Sequence, residues 1–110
     1  MQAFDYVRAQ SVDEVVSLAK NGDDARVLSG GTDLIVALRE GRRQAKVVID
    51  VKALPETTQI EYSAQGGLKF GASVPCHRLY GNKEIAAAYP GLIDSAQIIG
   101  GVQIQGRASI

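Results

Sequence analysis

The chain contains one cysteine, one histidine, three prolines and no tryptophan. A single thiol, Cys76, excludes a disulfide within the chain and any multi-cysteine zinc or iron–sulfur site made by this chain alone. The lone histidine, His77, follows it directly. Adjacent residues on a helix point about 100° apart and a metal site takes several ligands, so the pair reads as structural or surface, not as a dyad or a metal centre. Neither sign of charge is in excess: 12 basic residues balance 12 acidic ones, the isoelectric point is near 6.6, and Arg42-Arg43 is the only adjacent basic pair. Nothing in that balance points to a nucleic-acid partner or an anionic membrane. No apolar run approaches the length of a membrane span, and the N-terminus lacks a charged-then-apolar signal pattern, so the reading is a cytoplasmic chain. Paired carboxylates, a serine nucleophile and a general base are all missing as recognisable constellations.

What is present suits one compact domain of 110 residues. Ser11-Val12-Asp13-Glu14 has the form of a capping box and predicts a helix from Val12 to Lys20, ended by Asn21-Gly22. Ala25 to Leu28 suits a short strand, Leu34 to Glu40 a helix stopped by Gly41, and the β-branched run Lys46 to Val51 a buried strand of a parallel sheet. Together they predict a βαβ unit. Ile60-Glu61-Tyr62 and Leu68-Lys69-Phe70 alternate around Gln65-Gly66-Gly67, a hairpin at which the sheet is expected to turn antiparallel. Pro75 is placed to open a short helix, and Asn82 to cap another through Ala88 that Pro90-Gly91 ends. Leu92 to Ile99 reads as a third helical stretch, and Val102 to Ile110 as extended chain. Tyr62, Phe70, Tyr80 and Tyr89 fall on apolar faces as core or rim, and Asp50 is placed to pair with a backbone amide. The fold class is α/β, or α+β in some classifications.

The most informative stretch is Ser29-Gly30-Gly31-Thr32-Asp33. A strand that runs through two glycines into a helix start presents free backbone N–H groups in one place, to which the helix dipole adds partial positive charge. Glycines let a diphosphate approach the backbone, and the hydroxyls of Ser29 and Thr32 add donors. Neither the P-loop nor the G-x-G-x-x-G pattern is present. A plainer alternative stands beside this one: a Gly-Gly turn with Thr32 or Asp33 capping the next helix. The Asp33 carboxylate favours a cap and would repel a diphosphate unless it points away.

Three ordered segments carry a resemblance. "RVLSGGTDLIVALREGRRQAKVVIDVKALPE", "LKFGASVPCHRL" and "YPGLIDSAQIIGGVQIQGRASI" resemble the FAD-binding subunit or domain of the molybdenum hydroxylases, the family of xanthine dehydrogenase and the carbon monoxide dehydrogenase medium chain. In the last segment Gln103-Ile104 and Ala108-Ser109-Ile110 fit the family run. Gln105 and Gly106 stand where Arg-Asn is usual, and the sequence stops before the usual Gly-Gly-Asn.

The resemblance implies a PCMH-type FAD-binding fold. Residues 1–54 would form a first subdomain with the diphosphate loop, and 55–110 the start of a second. It implies FAD contacts at Leu28, Ser29, Gly30, Gly31, Thr32, Asp33 and Leu34, with a second set at Ser109 and Ile110, and no catalytic side chain. It further implies a molybdopterin subunit and an iron–sulfur subunit as partners, so that electrons from 2Fe–2S clusters reach FAD and then NAD, oxygen or a quinone. The end of the sequence within an apolar segment reads as that of a truncated piece, inactive by itself, whose unpaired strand near Ile110 offers a route to a homodimer. Two other readings stay open: a module for a phosphorylated ligand other than flavin, and a structural interaction domain in which "SGGTD" is only a turn and cap.

Overall fold

The computed structural model describes residues 1–110. Three short strands, β1 (Asp5–Arg8), β2 (Ala25–Leu28) and β3 (Val47–Asp50), form a parallel sheet in the order β1-β3-β2. Val47 lies level with Asp5 and Ala25, and Asp50 with Arg8 and Leu28. The centre strand is the β-branched run because only there are both faces covered. Helix α1 (Val12–Ala19) brings Val15 and Leu18 over Ala9, Ala25, Ile49, Val51 and Leu54. Helix α2 (Leu34–Arg39) brings Leu34, Ile35 and Leu38 against Leu28, Ala45 and Val48 on the other side. The β2-α2-β3 succession is the predicted βαβ unit. Strand β1 carried no sequence signal, being an edge strand with Asp5, Tyr6 and Arg8 exposed and only Val7 half-buried.

Helix α1 begins as its capping pattern dictates. The Ser11 hydroxyl accepts from the Glu14 N–H at 3.1 Å, while the Glu14 carboxylate accepts from the N–H of Gln10 at 2.7 Å.

Beyond β3 the chain leaves the sheet through a helical turn, α3 (Pro55–Thr58), with proline in its first turn. The hairpin strands β4 (Ile60–Ser63) and β5 (Gly67–Phe70) then make a separate two-stranded sheet, where a turn of the first sheet to antiparallel was expected. The reason lies in their apolar side. Ile60, Tyr62, Leu68 and Phe70 pack on Val74, Leu79, Ile85 and Ile93, a second core supplied by α4 (Cys76–Tyr80), α5 (Lys83–Ala88) and α6 (Pro90–Gln97). Tyr80 and Tyr89 join it, as their placement predicts. Asn82 caps α5 by accepting from the N–H groups of Glu84 and Ile85, both at 3.1 Å. Pro90 starts α6, so that helix opens two residues before the predicted Leu92.

The segment from Val102 corrects a second expectation, that of extended chain. Val102–Gln105 is a helical turn, α7, in which Ile104 and Gln105 donate to the Gly101 carbonyl at 3.0 and 3.1 Å. Buried Gln105 locks it, donating to the Gln97 carbonyl at 2.7 Å and accepting from the Tyr80 hydroxyl at 3.1 Å. A single turn is too short to leave a periodic signature. Only after it does the chain extend: Ser109 bridges Pro75 antiparallel, and Cys76 donates to the Ala108 carbonyl at 2.8 Å.

Candidate functional site

Residues 29–33 leave the end of β2 and lead into α2. Gly31 has φ +81°, a left-handed conformation that side chains resist, and a Cβ there would stand 3.0 Å from Leu28 and Ile35. The glycine therefore sets the path of the loop. None of the backbone N–H groups of residues 29–33 donates a hydrogen bond within the chain. Only buried main-chain donors must find partners within the protein, and those of this half-exposed loop are open to water or to another acceptor.

The capping alternative does not hold. Asp33 occupies the cap position of α2, yet its side chain accepts no capping hydrogen bond, and the Thr32 hydroxyl makes none either. Helix α2 has only six residues, so the loop's donor capacity rests on the free N–H groups far more than on a helix dipole. Asp33 is exposed. The Ser29 hydroxyl is buried without a partner.

Two cations that the sequence reading missed hold the loop in place. Lys52, just past β3, donates through Nζ to the Ser29 carbonyl at 2.9 Å and to Asp50 Oδ1 at 2.8 Å. Arg107 donates through Nε to the Gly30 carbonyl at 3.0 Å. No local pattern marks either residue, because each acts on a loop distant in sequence. Asp50 does pair with a backbone amide, accepting from the Lys52 N–H at 2.9 Å, and also takes the Tyr6 hydroxyl at 2.5 Å. Burial works to raise the Asp50 carboxyl, but hydrogen bonds from Lys52 and Tyr6 outweigh it and hold the group below the ordinary aspartate value. The same bond to Asp50 raises the Tyr6 phenol.

The C-terminal segment meets the loop directly. A Cβ on Gly30 would lie 2.0 Å from the Arg107 carbonyl oxygen, so only glycine permits the approach. The two predicted contact sets, Leu28 to Leu34 and Ser109-Ile110, are thus carried by chain segments that touch. Leu28 is buried, Leu34 and Ser109 half-buried, and Ile110 exposed. A cavity of about 390 Å³ opens beside Thr32, Asp33 and Leu34, bordered by Arg26, Arg42 and Arg43, with the Arg26 Nε buried and unpaired.

Cys76 is buried and its thiol is pushed up by that burial, whereas His77 is exposed. No group of metal-ligating side chains is present, and no helix is long and apolar enough to cross a membrane.

A small parallel sheet flanked by helices, with a glycine-bearing loop at the end of one strand that meets a second segment of chain, defines an α/β domain. Residues 2–110 match the family described as the FAD binding domain in molybdopterin dehydrogenase, and the chain belongs to that family. The 6-hydroxypseudooxynicotine dehydrogenase complex subunit alpha of Paenarthrobacter nicotinovorans is 32% identical over 98% of this chain and 36% of its own length. The carbon monoxide dehydrogenase medium chain of Afipia carboxidovorans is 29% identical over 98% of this chain and 38% of its own. Among solved structures, quinoline 2-oxidoreductase from Pseudomonas putida 86 superposes with a TM-score of 0.88 at 26% identity, covering 98% of this chain and 38% of that one. The chain therefore spans a little over a third of the relatives it matches.

Proposed function

We propose that this chain holds FAD at the junction of the Ser29–Asp33 loop and the Ala108–Ile110 segment, as the flavin-binding part of a molybdenum hydroxylase. The free N–H groups of residues 29–33 carry this reading, since they form a donor surface matched to a diphosphate and the protein leaves them unused. Gly30 and Gly31 keep the backbone open to close approach, the Ser29 and Thr32 hydroxyls add donors, and Leu28 and Leu34 flank the ligand. Ser109 and Ile110 supply the second side. Residues 1–54 act as the subdomain bearing the loop, and residues 55–110 as the beginning of the next.

Bound FAD would supply the redox chemistry, and the protein its position and electrostatic surroundings. Lys52 and Arg107 hold the Ser29 and Gly30 carbonyls and place positive charge beside the loop. Substrate oxidation belongs in this reading to a molybdopterin subunit, and electrons arrive through 2Fe–2S clusters of a third chain before passing to NAD, oxygen or a quinone.

The test is a calorimetric titration of the full-length protein with FAD, FMN and ADP. FAD is expected to bind in one-to-one ratio and more tightly than either other ligand. Equal binding of ADP and FAD would make this a nucleotide site without flavin selectivity, and no binding of FAD would end the flavin reading. Rapid reduction of the bound flavin by substrate in the assembled complex tests the electron path.

A further inference from the structure

The two edge strands of the parallel sheet, β1 and β2, lie on opposite sides of β3 and exchange no ladder hydrogen bond. Three side chains nevertheless join them through the end of β3. Tyr6 of β1, 55% exposed, donates its hydroxyl to Asp50 Oδ2 at 2.5 Å. Asp50 is the last residue of β3 and is buried; its other oxygen, Oδ1, accepts from the Lys52 N–H at 2.9 Å and from Lys52 Nζ at 2.8 Å. The same Nζ reaches the Ser29 carbonyl, just past β2, at 2.9 Å.

Each link in this series stands alone. Tyr6 is the one partner of Asp50 Oδ2, and Asp50 is the one carboxylate paired with Lys52. Ser29 makes a single hydrogen bond within the chain, the one from Lys52: its N–H donates to nothing, and its hydroxyl is buried without a partner. A buried carboxylate deprived of its Oδ2 donor is left with an unsatisfied oxygen, which it relieves by turning or by admitting water. Lys52 is bound to the group that turns, and Ser29 is held by Lys52 alone.

We propose that Tyr6 is a positioning residue for the Ser29–Asp33 loop: its phenol orients Asp50, Asp50 orients Lys52, and Lys52 holds the Ser29 carbonyl. As to what the loop binds, this inference rests on the flavin reading above. It goes beyond that reading by giving part of the site's geometry to an exposed side chain on the far edge of the sheet, which makes no hydrogen bond to the loop itself.

A double-mutant cycle on the full-length protein tests the proposal, with FAD affinity as one readout and the carbon-13 NMR shift of the Ser29 carbonyl in the flavin-free protein as the other. Tyr6→Phe removes one oxygen from an exposed side chain, so the variant is expected to fold, and its melting curve verifies this. FAD binding is expected to weaken by about threefold in Tyr6→Phe and by about tenfold in Lys52→Gln, since the first loosens the support of Ser29 and the second removes it. In the Lys52→Gln background, Tyr6→Phe is expected to change affinity by less than about 1.5-fold, because the route from Tyr6 to the loop is already cut. The Ser29 carbonyl signal should move in Tyr6→Phe and stay in place in Ser11→Ala, which loses a hydrogen bond outside the series. Equal effects of Tyr6→Phe in both backgrounds, or a Ser29 signal that Tyr6→Phe leaves unmoved, would each overturn the proposal. If the protein takes up no FAD, the flavin reading falls and the Ser29 signal still decides the role of Tyr6, so the two fail independently.

Discussion

The Arg107 carbonyl oxygen occupies the space a side chain on Gly30 would need, 2.0 Å from where its Cβ would stand. Seventy-seven positions apart in sequence, the two residues are also joined by the Arg107 Nε donating to the Gly30 carbonyl. Gly30→Ala therefore forces the loop and the C-terminal segment apart. The expected cost is about 1–3 kcal/mol of stability, the usual range for overpacking, together with at least tenfold weaker FAD binding. Gly22→Ala is the matched control: Gly22 has φ +64° with open space around it, so only backbone strain of about 1–2 kcal/mol is expected and FAD affinity should not move. Thermal melts with calorimetry on both variants separate closure of the site from strain.

Thr32→Ala distinguishes a ligand loop from a capping turn. With no capping hydrogen bond to lose, the variant should stay within about 0.5 kcal/mol of the parent in stability while binding FAD more weakly. Ser11→Ala, which removes a cap that does form, should cost about 1 kcal/mol and leave FAD binding alone. A Thr32→Ala variant that melts early with unchanged affinity would restore the capping reading.

Lys52→Gln removes the charge-assisted bonds to Ser29 and Asp50 at once. Stability should fall by about 1–3 kcal/mol, and the Ser29 carbonyl loses its anchor. Denaturant melts measure the first effect, and slower, weaker FAD capture reports the second.

Stability should also depend on acid through Asp50. Its carboxyl titrates lower in the fold than in the unfolded chain, so its contribution is complete above the ordinary aspartate value of about 3.9 and is lost as pH falls through the lower folded value. Tyr6→Phe removes one of the bonds that hold the group down. The acid limb of stability should then move to higher pH, which denaturant melts between pH 2 and 6 would detect. Tyr6 acts in the opposite sense at alkaline pH: its raised phenol contributes fully below the ordinary tyrosine value, and that contribution is lost as pH rises through the folded one.

Much of this architecture was legible because it is local. The Ser11 cap, the hairpin around Gly66-Gly67 and the Asn82 cap each depend on neighbours within a few residues, and the Val47–Asp50 strand announces itself by its own β-branched run. Strand β1 and helix α7 were not legible, the first because an edge strand buries too little to impose a pattern, the second because its turn is held by Gln105 reaching Tyr80 and Gln97. The same distinction runs through the site. The glycine pair was visible as a motif, while Lys52 and Arg107 became meaningful only when folding set them against carbonyls 23 and 77 residues away.

The one thiol of this chain sits where its chemistry can report on that closure. Cys76 is fully buried and its backbone N–H is bonded to Ala108, one residue from the arginine that meets Gly30. Burial keeps the sulfur protonated, and a buried neutral thiol reacts with alkylating reagents only when its cover lifts. The native sequence thus carries a stopwatch: the rate at which Cys76 is labelled counts the openings that expose it, and a ligand bridging the two segments would slow it without any dye or tag having been introduced.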